Sequence, residues 1–324
     1  MTANDLEQAA GNEAAAAQPT VGGRIRARRA VQQRAPRTYT RRLLPVSPAR
    51  AVVIATTATI AVLGLWFVIY ALVLSGLREG HAQHLLYSQL RQELAEETVP
   101  FGGKIKPGAP VARISVPQIG LSAVVVEGTS SQQLANGPGH LPSTPMPGQA
   151  GNAQIYGRSA MYGAPFSHVH ALKRGALVTV VTGQGVFEFQ VIDVRGPGDP
   201  VPSAAQLGQS SLTLVTSAAN GWRAGWAPEY VIYADATLVA GKVQPAPSGR
   251  PTVIPAVDGP LRGDTNQLVL LPYLVLGLVL LCAGLGWAST RWTVWQLWAV
   301  GVPAVVAMLW ITTNSVMLLL PNLS

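Results

Sequence analysis

The chain has 324 residues, of which 48% are hydrophobic and 12% charged, and a formal net charge of +8. The excess sits at one end: residues 1–50 hold nine arginines against three acids, so a uniformly basic nucleic-acid binder is excluded. The one cysteine, Cys282, excludes an intramolecular disulfide, a cysteine zinc site and a CxxC redox pair.

Residues 1–50 are Ala/Gln-rich at the start and Arg-rich after it, with no folded pattern, and read as a basic disordered arm. Ala51–Leu77 is free of charge and long enough to cross ~30 Å of hydrocarbon. A signal peptide has an apolar region of only ~7–15 residues near the chain start, so this run is expected to be a retained anchor. Arginines close to a span keep their side in the cytoplasm, which places the following segment outside. The arm then serves as a topology signal drawn to anionic lipid, with docking of a cytoplasmic partner as the sharper alternative.

Residues 78–110 read as a helix followed by a Gly/Pro-rich linker: Leu85, Leu86, Leu90 and Leu94 fall at helical spacing, and Pro100–Pro110 breaks it. Over 111–242 the pattern changes to β-branched runs separated by turn residues. Strands are expected at 112–117, 123–128, 153–157, 177–182, 186–194, 212–216 and 230–239, with a hairpin turn at Gly183–Gly185. Short helices are expected within 130–140 and 164–175. So many short strands predict a mainly β fold, a closed barrel or a sandwich.

Residues 243–266 are Pro/Gly/Val-rich and read as a linker back to the membrane. Two more spans follow, 267–288 and 295–320, joined by a cytoplasmic turn at 289–294 that carries Arg291. Trp287, Trp292, Trp295 and Trp298 cluster at that turn, as an interfacial aromatic belt does. Pro321–Ser324 is expected on the outer face. No ionisable residue lies inside a span, which argues against an ion-coupled transporter. Thr312, Thr313 and Asn314 supply polar groups for helix association.

The motif order resembles the sortase family, in particular its actinobacterial branch often called class E. VARISVPQIGLSAVVVEGTS (111–130) is similar to the first two strands of that barrel. GPGHLPSTPMPGQAGN (137–152) is similar to GPGHxxxTxxPGQxGN, and IYGRSAMYGAPFSHVHALKRG (155–175) to IAGHRxTHGAPFxxLxxLxxG. LTLVTS (212–217) stands where the family has LTLVTC, and PEYVIYA (228–234) where it has xRYVVxA. The resemblance implies a sortase-like closed β-barrel with short helices, here joined to three transmembrane helices. It also implies transpeptidase chemistry on an LPXTG-type sorting signal, carried by Cys, His and Arg.

All three catalytic residue types are replaced at the matching positions: Ser217 for Cys, Arg158 for His and Glu229 for Arg. A serine hydroxyl is a weak nucleophile without a base, and a guanidinium is not one. Cys282 lies within the second span and cannot substitute. Arg158 and Glu229 carry opposite charge and are expected to form an ion pair that fills the old site. Candidate binding residues are Trp222, Arg223 and Trp226 of the loop after Ser217, with His140 of GPGH. His140 is expected mainly to bond locally, and the loop to close the groove or to hold a peptide or glycan. Metal binding at His81/His84 or His168/His170 is not expected, and no cofactor is implied.

The resulting expectation is a multi-pass plasma-membrane protein of a Gram-positive cell surface, with its β-barrel extracellular. It is expected to be a catalytically inactive pseudosortase that binds a sorting-signal peptide, a surface protein, another sortase or a membrane partner, and no nucleic acid. The alternatives are an active enzyme with a rearranged Ser217–Glu229–Arg158 site, and a membrane-complex subunit acting through its last two spans.

Overall fold

One unbroken helix carries the chain from Pro48 to Ala95, as α1 (Pro48–Ile69), a π-turn (Tyr70–Leu74) and α2 (Ser75–Ala95). The computed structural model describes residues 48–202, 208–218 and 227–324. Val53–Ser324 packs as one unit, and the described residues before it add only the first turn of α1. The basic arm of the sequence reading lies almost wholly outside the described residues.

A π-turn inserts one residue into the helical ladder and rotates the faces on either side of it. Here it makes Tyr70, Ala71 and Ser75 the buried positions. Ser75 Oγ donates to the Ala71 carbonyl oxygen (2.6 Å) and accepts from the Tyr162 N–H (3.2 Å). Further along, Gln83 of α2 bonds both the N–H and the carbonyl of Val124 (2.7 and 3.1 Å), and Leu90 packs on Val99 and Val124. The helix therefore leans on the β-domain instead of merely leading to it.

Eight strands form a closed barrel: β1 (Pro110–Val116), β2 (Leu121–Glu127), β3 (Gly139–His140), β4 (Gly151–Tyr156), β5 (Leu177–Thr182), β6 (Gly185–Arg195), β7 (Ser210–Ala218) and β8 (Tyr230–Ala240). Their order around the barrel is β1-β2-β3-β4-β7-β8-β6-β5, with β5 pairing back to β1. Closure removes the exposed sheet edges. Inward positions carry the core: Ile114, Val125, Ile155, Val180, Phe189 and Leu214 are fully or almost fully buried.

The expected strands are present, and the β5–β6 hairpin turns at Gly183–Gln184 with Thr182 paired to Gly185. β3, two residues long, went unread. Two expected helices shrink. Residues 130–140 yield only α3 (Ser131–Leu134), because Gly137 (φ 142°) and Pro138 end it before β3. Residues 164–175 yield one 3-10 turn, Val169–Ala171.

β4 and β7 run parallel as neighbours, and β8 pairs antiparallel to β7. The end of β4, the end of β7 and the start of β8 therefore meet at one rim of the barrel. The expected linker 243–266 is strapped to the barrel at several points. Arg250 Nη1 reaches Glu127 Oε1 (3.1 Å), and Thr129 bonds Asp258 through its N–H (3.1 Å) and its hydroxyl (2.7 Å).

Two apolar helices follow, α4 (Gln267–Ala288) and α5 (Val294–Leu319), packed against each other. Together with the first helix they make three that are long and apolar enough to cross a membrane. The polar residues of α5 are used within the chain. Trp66 Nε1 donates to Thr313 Oγ1 (3.0 Å), and Asn314 Oδ1 accepts from Arg78, from Tyr70 (3.2 Å) and from Tyr162 (3.3 Å).

Candidate functional site

The barrel rim brings together the three positions where the resembled family carries its catalytic set. Arg158 follows β4, Ser217 lies near the end of β7, and Glu229 immediately precedes β8. Gly157 N–H donates to the Val215 carbonyl oxygen (2.9 Å), which locks the Arg158 backbone beside β7. Gly157 also has no room for a side chain: a Cβ there would lie 2.4 Å from the Phe166 ring.

The groove at this rim is filled by the chain itself. α5 ends at Leu319, and the next residues, Pro321–Ser324, run directly into the site. Asn322, Leu323 and Ser324 are fully buried. The Leu323 carbonyl oxygen accepts from Ser217 Oγ (2.7 Å), the Ser159 N–H (2.9 Å) and Ser159 Oγ (3.0 Å). Its side chain packs with Leu134, Leu141, Tyr156 and Val215. Burial, with Tyr233 nearby, pushes the Tyr156 hydroxyl up to about 12, so that wall of the pocket stays uncharged.

Arg158 holds the other end of this segment. Its Nη1 donates to the carbonyl oxygens of Ser324 (3.0 Å) and Pro321 (3.5 Å), and its Nη2 to the carbonyl (3.0 Å) and hydroxyl (3.2 Å) of Ser131. The guanidinium stacks over the Tyr162 ring at 4.8 Å. Full burial lowers its pKa to about 10, opposed by Tyr162, so it remains a cation at neutral pH. The expected Arg158–Glu229 pair is not formed. Arg158 is buried, with Nη1 and Nη2 bonded to oxygens of the 321–324 segment and Ser131, whereas Glu229 is exposed and its backbone N–H bonds Ala218.

Asn322 is read on every side. Its Nδ2 donates to the carbonyl oxygens of Thr129 (2.7 Å) and Gly259 (3.0 Å), and its Oδ1 accepts from the Arg262 N–H (3.2 Å). Its own N–H donates to the Arg262 carbonyl oxygen (2.9 Å). The 257–264 stretch is thus one wall of the groove. Gly263 permits this closeness, since a Cβ there would lie 2.0 Å from the Leu319 carbonyl oxygen.

His140 is not available to a ligand. It is fully buried, with Nδ1 2.9 Å from Glu127 Oε2 and Nε2 2.9 Å from the Pro145 carbonyl oxygen. Trp222, Arg223 and Trp226 lie outside the described residues. Among the described residues, no group of three His, Cys, Asp or Glu comes together to hold a metal. The occupying segment was missed in the sequence because it reads as the end of an apolar span. A signal was present: Leu320–Ser324 spells Leu-Pro-Asn-Leu-Ser, with the Leu-Pro opening of an LPXTG signal and the docked carbonyl at the fourth position.

Chemically the described residues of this site bind a peptide carbonyl by donating hydrogen bonds to its oxygen. Ser217 Oγ points its proton at the oxygen of that carbonyl, where attack would need its lone pair on the carbon and its proton on a base. Among the described residues, Ser217 Oγ bonds Leu323 O and Ser159 Oγ (3.1 Å), and neither is a base.

Residues 114–237 match the family model of the sortase domain. Similar solved structures include a sortase D5 transpeptidase from Clostridium perfringens, at 23% identity over 50% of this chain and 98% of that one, TM-score 0.40. A sortase E variant from Streptomyces avermitilis is similar at 27% identity over 42% of this chain and 91% of that one, TM-score 0.35. No curated relative matches the sequence. The chain therefore carries a domain of the sortase family.

Proposed function

We propose that this sortase-family protein holds a sorting-signal-type peptide at the outer face of a bacterial plasma membrane without cutting it. The observation that carries this reading is the 2.7 Å bond from Ser217 Oγ to a peptide carbonyl, at the position matching the family's cysteine. Three donors gather on that carbonyl, as they would on a substrate carbonyl, yet the positions matching the thiol, histidine and arginine carry other residues. The rearranged-enzyme alternative loses support, because Arg158 is committed to Ser131 and the bound segment while Glu229 is exposed.

The orientation belongs to the same proposal. Arginines before the first span favour a cytoplasmic start. Three crossings then leave the barrel and the residues after α5 on one side, which agrees with Pro321–Ser324 reaching the barrel.

The test uses the full chain in nanodiscs with an LPXTG-type peptide and an amine acceptor. Saturable binding with no ligated or hydrolysed product supports the reading. Turnover that disappears in Ser217→Ala overturns it.

A further inference from the structure

We propose that Pro321–Ser324 is the resident ligand of the groove, and that the groove selects its peptides by an asparagine at the position of Asn322. This deepens the preceding proposal and rests on its reading of the groove as a peptide site. It adds what occupies the groove and which side chain is recognised.

The segment is held by more than apolar contact. Its backbone is bonded at Pro321, Asn322, Leu323 and Ser324, by partners from the turn after β4, β7 and the strap. Among its side chains, only that of Asn322 is bonded by groups on both sides of the groove: Thr129 from the barrel, Gly259 and Arg262 from the strap. Both hydrogens of its amide have carbonyl partners, and its oxygen faces an N–H. Aspartate is nearly the same size, but it would offer no donors and would set a charge against two carbonyl oxygens in a fully buried place. Leucine or alanine would leave all three backbone groups without partners. The adjoining apolar pocket, around Leu134 and Val215, takes an aliphatic side chain one residue later.

The strap explains why this selection needs the whole chain. Thr129 bonds Asp258, Asp258 adjoins Gly259, and Gly259 and Arg262 bond Asn322. The groove wall that reads the asparagine is thus fixed to the barrel by the same residue, Thr129, that reads it from the other side.

The experiment measures access to position 217, which is 3% exposed with the segment in place. Full chain carrying Ser217→Cys and Cys282→Ser in nanodiscs is labelled with a maleimide. Labelling is expected to be slow, and at least about tenfold faster when 321–324 are removed or when Asn322→Asp is introduced. Adding the peptide Leu-Pro-Asn-Leu-Ser to the shortened chain is expected to restore protection, and the same peptide with Asp for Asn is not. Equal labelling with and without the segment, or equal protection by both peptides, overturns the proposal. The Asn322→Asp chain keeps full length, so a folding failure of the shortened chain does not decide the outcome. Failure of the shortened chain to bind an LPXTG-type peptide from another protein, with protection by 321–324 intact in the full chain, sinks the broader function and leaves this inference standing.

Discussion

The Ser217 hydroxyl and the Leu323 carbonyl oxygen are hydrogen-bonded at 2.7 Å, so the residue in the nucleophile's place serves as a donor. Restoring the thiol alone is not expected to give the transpeptidase chemistry that the family resemblance implies. Groups that act as a unit fail together, and a cysteine here would lack both the acid for the leaving amine and a cation at its usual place. Ser217→Cys is therefore expected to give no ligation product from an LPXTG-type peptide and an amine, read by mass spectrometry. Product above the Ser217→Ala background would refute this.

Arg158 is the second test. Removing its guanidinium takes away the side-chain donor to the Ser324 carbonyl oxygen, while Ser131 keeps the Ala135 N–H, and a buried carbonyl without a partner costs ~1–3 kcal/mol. Arg158→Met, which keeps most of the volume, is expected to lower thermal stability by about that amount and to expose the groove. Arg158→Glu, which sets a negative charge among these oxygens, is expected to be worse. A Met variant with an unchanged melting temperature would show that the guanidinium contributes no net stability.

The reason Arg158 could not be assigned from sequence is instructive. Opposite charges at two positions of one rim suggest a pair with Glu229, but the buried guanidinium turns its Nη1 and Nη2 to carbonyl oxygens instead. By contrast β5 and β6 were legible, since Leu177–Thr182 and its partner alternate around a two-residue turn. β3 was not, because two residues carry no alternation. The strap was legible as irregular chain from its Pro and Gly content, yet composition says nothing of what irregular chain touches. The groove's occupant was hidden for a similar reason. Pro321–Ser324 follows an apolar helix without a change in composition, and only tertiary contact distinguishes it.

Glu127 sits between His140 and Arg250 with both oxygens engaged. Deleting one partner of a buried ion pair such as Glu127–Arg250 costs ~3–5 kcal/mol, because the other charge stays buried without its counter-charge. Glu127→Ala is expected to destabilise by about that much. Arg250→Met is expected to cost less, and to make the 243–266 strap more susceptible to proteolysis. Limited proteolysis followed by mass spectrometry checks the second outcome. An Arg250→Met strap as resistant as the parent would show that Arg250 does not pin it.

Asp258 gives a pH dependence with a definite sign. Burial raises its pKa above the ordinary 3.8, opposed by the backbone N–H groups of Thr129 and Ser130. The folded state therefore holds the proton more tightly than the unfolded one. Its contribution to stability is fully present below about 3.8 and is lost as pH rises through the raised value. Asp258→Asn keeps an oxygen for the Thr129 N–H and is expected to remove this part of the pH profile, leaving the strap at least as stable at neutral pH. Thermal melts of both proteins across the acidic range measure it; parallel profiles would contradict the assignment.

The helix α5 and the docked segment are continuous, with only Leu320 between Leu319 and Pro321. A helix advances ~1.5 Å per residue along its axis. A slide of α5 by one helical turn, ~5.4 Å, relative to the barrel would carry the Leu323 carbonyl beyond hydrogen-bond reach of Ser217. With α5 long and apolar enough to cross a membrane, the barrel would thereby set how deep that helix sits in a bilayer. Whatever alters that depth, such as lipid thickness or a helix packed alongside, is coupled mechanically to the occupancy of the groove.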